Sequence, residues 1–108
     1  MDQQFIYVIC EDAATSTVKI GFSANPDRRL KQLQTAQSNP LILFHKEEVP
    51  AASVRALERV IHKELSYRKA RGEWFSISPE DAVATIKHAM IRYGEIDDLA
   101  QRMRSRTL

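Results

Sequence analysis

Hydrophobic positions change rhythm several times along the 108-residue chain, and each change marks an element. Phe5 to Cys10 is continuously apolar and rich in β-formers, whereas Thr17 to Phe22 alternates, with Val18, Ile20 and Phe22 on one side and Lys19 and Gly21 on the other. The two stretches predict a hairpin with a polar surface connection from Glu11 to Ser16. Asn25, Pro26 and Asp27 then supply a cap, a first-turn proline and an acid at the positive dipole end, predicting a short helix from Pro26 to Thr35. Beyond Asn39-Pro40, Leu41 to Phe44 predicts a third, largely buried strand running out to Val49. Val54, Leu57, Ile61 and Leu65 recur at helical spacing and predict the longest amphipathic helix, Ala51 to Tyr67. Glu73 to Ile77 has strand-like alternation. Ser78, Pro79, Glu80 and Asp81 open a last helix with a buried stripe of Val83, Ile86, Met90 and Tyr93, ending at Gly94.

The order β, β, α, β, α, short β, α predicts a small α+β fold, with helices packed on a mostly antiparallel three-stranded sheet. A hydrophobic fraction of 44% suffices for one core, so residues 1–94 are expected to form a single domain. The charged tail, 95–108, reads as helical or frayed. No stretch approaches the roughly 20 apolar residues of a membrane span, and the N-terminus lacks the features of a secretory signal, so a cytoplasmic protein is expected. The single cysteine, Cys10, lies in an apolar run and reads as a buried structural thiol, which disfavours redox and cysteine-zinc chemistry.

A net charge of +2 does not by itself point to nucleic acid. Basic residues do cluster: Arg28, Arg29 and Lys31; Arg68, Lys69 and Arg71; and Arg102, Arg104 and Arg106. Each cluster alone reads better as a solvated face that keeps the protein soluble. HExxH, CxxC, GxxxxGK[ST] and GxSxG patterns are all absent, which disfavours zinc hydrolases, nucleotide-loop enzymes and serine esterases. There remain polar groups that strand and helix geometry can gather. Tyr7 lies in the first strand, Lys19 points away from the apolar face of the second, and Gly21 leaves a bare shelf on Lys19's own face.

Ile6-Tyr7-Val8 and Lys19-Ile20-Gly21, followed by Phe22 to Leu30, resemble the hairpin and first helix of the GIY-YIG endonucleases, in particular their short phage and bacterial branch. Ala56 to His62 is similar to that family's later helix with its metal-binding glutamate, and Gly72-Glu73-Trp74-Phe75 resembles the branch's closing motif. The similarity runs from Phe5 to Phe75 and rests on the order of the motifs more than on any one. It implies a GIY-YIG-like fold and a metal-dependent DNA endonuclease or nickase leaving a 5′ phosphate and a 3′ hydroxyl, with weak intrinsic sequence specificity. Tyr7 takes the place of the first motif's tyrosine and Lys19 that of the second, where YIG has become KIG. Arg29 takes the place of the catalytic arginine, with Arg28 as its rival, and Glu58 that of the ligand for Mg²⁺ or Mn²⁺. The family's late asparagine has no counterpart here.

Hydrolysing a phosphodiester needs an oriented water and neutralisation of charge on the phosphoryl oxygens. One carboxylate with phosphate oxygens and waters suits Mg²⁺, and an arginine fork suits the scissile phosphate. The Tyr7 phenol can orient or deprotonate water if neighbouring cations lower its pKa from about 10, while Lys19 serves as base or phosphate ligand. His62, on one helical line with Arg55 and Glu58, either supports the site or is an ordinary half-exposed histidine; His45 is a more remote candidate. Arg28, Lys31, Gly21 and Ser23 are expected to border the nucleic acid. DNA is thus the expected partner, with a homodimer or a targeting partner supplying selectivity. Two other readings use the same residues: a nucleic-acid-binding module with a degenerate site, and a protein-interaction or inhibitor domain.

Overall fold

The computed structural model describes residues 3–12 and 14–106, with side chains left out for 14–15 and 95–106. Strands β1 (Gln4–Glu11) and β2 (Ala14–Ser23) form the hairpin, followed by α1 (Pro26–Gln34), β3 (Leu41–Val49) and α2 (Val54–Glu64). A 3₁₀ turn (Ser66–Arg68) leads into β4 (Lys69–Arg71) and β5 (Trp74–Phe75), and α3 (Pro79–Arg106) closes the described chain. The sheet is antiparallel in the order β3-β1-β2-β5-β4.

The α+β class stands, but the sheet has five strands where three were expected. β4 escaped because Lys69, Ala70 and Arg71 are all exposed, so no hydrophobic alternation announces them; a short charged strand is a usual way to blunt a sheet edge. Gly72, at φ 59°, makes the left-handed turn that folds β5 back onto β4. β3 is an edge strand as well, buried only at Leu41 and Val49 rather than along most of its length. The expected loop from Glu11 to Ser16 shrinks, because β2 already begins at Ala14. Gly94 does not end the last helix: its φ is not the left-handed value of a terminating glycine, and α3 continues to Arg106. A mid-helix glycine costs only about 1 kcal/mol, which the helix-forming residues around it tolerate. The side chains of Arg102, Arg104 and Arg106, and residues 107–108, lie outside the described set.

β1 is continuously apolar because it is central and covered on both faces. Ile6, Val8 and Cys10, with Val18 and Ile20 of β2, pack against Leu57 and Ile61 of α2 and Ala82, Ile86 and Ala89 of α3. Tyr7 and Ile9 face the other way, toward Leu30 and Leu33 of α1 and Trp74. The helix starts obey their local signals. Asn25 Oδ1 accepts from Arg28 N at 3.1 Å, and Ser78 Oγ accepts from Asp81 N at 3.1 Å. Cys10 is fully buried, and that burial pushes its thiol pKa up, which suits a packing residue rather than a nucleophile. Among the described residues, no helix is long and apolar enough to cross a membrane.

Candidate active site

The α1 face of the hairpin carries the polar chemistry. By strand alternation Thr17, Lys19 and Gly21 form one row along β2, with Ile9 opposite Lys19 and Tyr7 opposite Gly21. A Cβ on Gly21 would stand 2.5 Å from the Tyr7 phenol oxygen and 2.8 Å from the ring carbon bearing it. Gly21 is therefore not an open shelf for a ligand: the space left by its missing side chain is filled by the Tyr7 phenol, which lies across it. Tyr7 is 1% exposed, so backbone and core together hold the phenol in place.

Lys19 lies almost wholly within the fold, 9% exposed, with Nζ 3.3 Å from Glu73 Oε2 and 5.7 Å from the centre of the Trp74 ring. The β4–β5 turn supplies both partners: Trp74 pairs with Lys19 across the ladder, and Glu73 O accepts from Ile20 N at 3.3 Å. Glu73, which the sequence assigns only to the closing motif, thus becomes the ion-pair partner of Lys19. The signal that places it is the positive-φ glycine before it, which aims the following residues at β2.

Arg29, half-buried on α1, brings its guanidinium against Tyr7, while Arg28 is exposed and uses its backbone N–H in the helix cap. Arg29 Nη1 also donates to Gln32 Oε1 at 3.4 Å. Burial raises the pKa of the Tyr7 phenol; hydrogen bonding and positive charge from Arg29 work against the rise, and the charges of Glu73 and Glu58 add to it. The expectation that cations bring this phenol below its usual value is thus corrected: desolvation wins, and Tyr7 is a protonated phenol at neutral pH.

Glu58 comes from α2, which packs on the hairpin face opposite α1. Burial raises its carboxyl pKa, with His62, Arg55 and Lys19 lowering it and Glu73 raising it. Among the described residues it makes no ion pair within 4.0 Å and no side-chain hydrogen bond. A half-buried carboxylate near a second carboxylate and without a fixed cation has the chemistry of a divalent-ion ligand. His62 has a different task. Its Nε2 donates to Ile20 O at 2.8 Å and its ring meets Phe75 edge-on at 5.0 Å, so it ties α2 to β2 one turn beyond Glu58.

Tyr7, Lys19, Arg29 and Glu58 thus come from four elements into one electrostatic neighbourhood. A family model described as T5orf172 domain matches residues 4–90. The chain belongs to the T5orf172 family. That is a nuclease-associated domain family of phage origin. No curated protein and no solved structure matches the chain.

In this T5orf172 domain the remaining expected residues fall around the cluster. Ser23 Oγ accepts from Asn25 N at 3.0 Å, so its hydroxyl shapes the turn into α1. Lys31 is exposed on α1. His45 lies on β3 opposite Val8, the helix-covered face, with Nε2 3.0 Å from Glu47 Oε1; it does not join the group. Arg55 lies over Phe22, 5.7 Å from the ring centre, at the end of β2 on its apolar side. Two concavities of the described surface, one between β3, α2 and α3 and one beside Trp74, are lined by none of the four central residues.

Proposed function

We propose that this T5orf172 domain is a metal-dependent DNA endonuclease or nickase of the GIY-YIG type, acting in the cytoplasm of a bacterial or phage-infected cell. The observation that supports it most is the meeting of a buried phenol, a guanidinium, an ion-paired ammonium and a carboxylate without an ion pair among the described residues, drawn from distant parts of the chain.

Glu58 would hold Mg²⁺ or Mn²⁺, and the ion would supply Lewis-acid charge to the phosphate. Arg29 offers its donor fork to a non-bridging phosphoryl oxygen. The protonated Tyr7 phenol, fixed between Arg29 and Gly21, donates to one oxygen and accepts from the attacking water, and so orients that water rather than deprotonating it. Lys19, whose ammonium is already engaged by Glu73, serves as a phosphate ligand and not as the base. Water adds to phosphorus, giving up a proton to solvent, and the P–O3′ bond breaks. The 3′ oxygen leaves as a hydroxyl after taking a proton, and the phosphate stays on the 5′ side.

Incubation of supercoiled plasmid with the protein and Mg²⁺ or Mn²⁺ tests the reading. Nicked or linear product that disappears with Glu58→Ala supports it. Intact plasmid under both ions, with DNA binding retained, replaces it by a catalytically degenerate binding module. A stable protein partner with no salt-sensitive DNA binding would favour an interaction domain instead.

A further inference from the structure

Beside the cluster, on the same sheet face, lies a polar concavity of about 370 Å³ lined by Glu11, Thr17, Gln37, Ala70, Arg71 and Trp74. Its volume falls in the range of small-ligand sites, roughly 300–1,000 Å³. Thr17 belongs to the same β2 row as Lys19, two residues or about 7 Å along the strand. Trp74 is both the cross-strand partner of Lys19 and a wall of the concavity, and Arg71 pairs with Trp74 from β4. The concavity and the candidate active site therefore adjoin at Trp74, which lines the one and pairs with Lys19 of the other.

The lining combines three recognition chemistries. Arg71, exposed on the edge strand, offers a donor fork to an anion. Gln37 and Thr17 supply neutral donors and acceptors. Trp74 supplies an aromatic ring whose electron-rich surface is already approached by the Lys19 ammonium. The one acid, Glu11, receives a hydrogen bond from Asn39 Nδ2 at 3.2 Å. A bare polyanion would use Arg71 alone. An unpaired nucleotide would use all three, since its phosphate, base edge and base face are all free, whereas in a duplex the base face is stacked away.

We propose that this concavity receives an unpaired nucleotide of the DNA strand crossing Lys19, with Arg71 taking its phosphate and Trp74 contacting its base. The domain then prefers DNA with single-stranded character next to the cut. The inference rests on DNA being the substrate, as argued above, and adds the form of DNA and the residues that select it.

Trp74 is the only tryptophan in the sequence, so its fluorescence reports on the site directly. The full chain in EDTA, where nothing is cut, is titrated with a blunt duplex, with the same duplex carrying a single-stranded extension, and with polyglutamate. The extended duplex is expected to quench Trp74 and to bind about tenfold more tightly than the blunt one. Arg71→Gln, at an exposed position, should remove that advantage. Equal affinity for the two duplexes, an unquenched tryptophan at saturation, equal quenching by polyglutamate, or no DNA binding at all would each overturn the proposal. Plasmid left intact under Mg²⁺ while quenching persists would remove hydrolysis and leave the nucleotide site standing; cutting without quenching would do the reverse.

Discussion

The two faces of the central hairpin are built from the same two strands and do opposite work. Toward α2 and α3, Ile6, Val8, Cys10, Val18 and Ile20 belong to one large apolar cluster. Toward α1, the alternate positions include a tyrosine, an ion-paired lysine and a glycine beside Ile9, and a single short helix covers them. One face carries most of the burial; the other can hold polar groups because stability is supplied elsewhere. Alternation of side chains along β2 is the physical device that keeps the two apart, since a shift of one residue would exchange them. The desolvation that raises Tyr7 and Glu58 is the trace of the core beneath a site that still reaches the surface.

The contrast can be broken from either side. Ile61→Ala on the closed face should cost about 2–5 kcal/mol in denaturant unfolding, with activity per folded molecule preserved. An equal loss of specific activity would mean that the faces are coupled. Arg29→Ala on the open face should do the reverse, lowering cleavage about 10²–10³-fold with little change in the melting midpoint. If Arg28→Ala has the larger kinetic effect, the orientation of α1 proposed for catalysis is wrong.

A glycine pair sharpens the comparison at smaller energies. Gly21→Ala pushes a Cβ into the packed Tyr7 phenol and should cost about 1–3 kcal/mol together with activity. Gly94→Ala, in the middle of α3 with nothing within 4 Å, should instead stabilise by up to about 1 kcal/mol and leave cleavage alone. Identical thermal shifts for the two would remove the argument that Tyr7 is seated by Gly21.

The smallest effect is a matter of sign. Glu58 has a carboxyl pKa raised in the folded state, so the stability it contributes is present below its ordinary value and is lost as pH rises through the folded one. At neutral pH without metal, its charge therefore works against folding. Glu58→Gln should melt slightly higher than the parent in EDTA at pH 7, the gap closing toward pH 4, while cleavage is abolished. A lower melting point at pH 7 would mean that Glu58 has a cationic partner after all and is a structural ion-pair residue.

Much of this was legible in the linear chain because it depends on near neighbours. The capping groups at Asn25 and Ser78 act within three residues, the period of Val54, Leu57 and Ile61 is local, and the alternation of Val18 to Phe22 assigns Lys19 to the less apolar face before any partner is known. What only the tertiary structure decided depends on residues far apart in sequence. β4 has no hydrophobic signal because it lies at an exposed edge; Glu73 reaches Lys19 only through the Gly72 turn; and the space beside Gly21 is taken by a phenol from another strand. The direction of the Tyr7 and Glu58 pKa values belongs to the same class, because desolvation is set by the whole fold whereas a neighbouring charge in sequence is not.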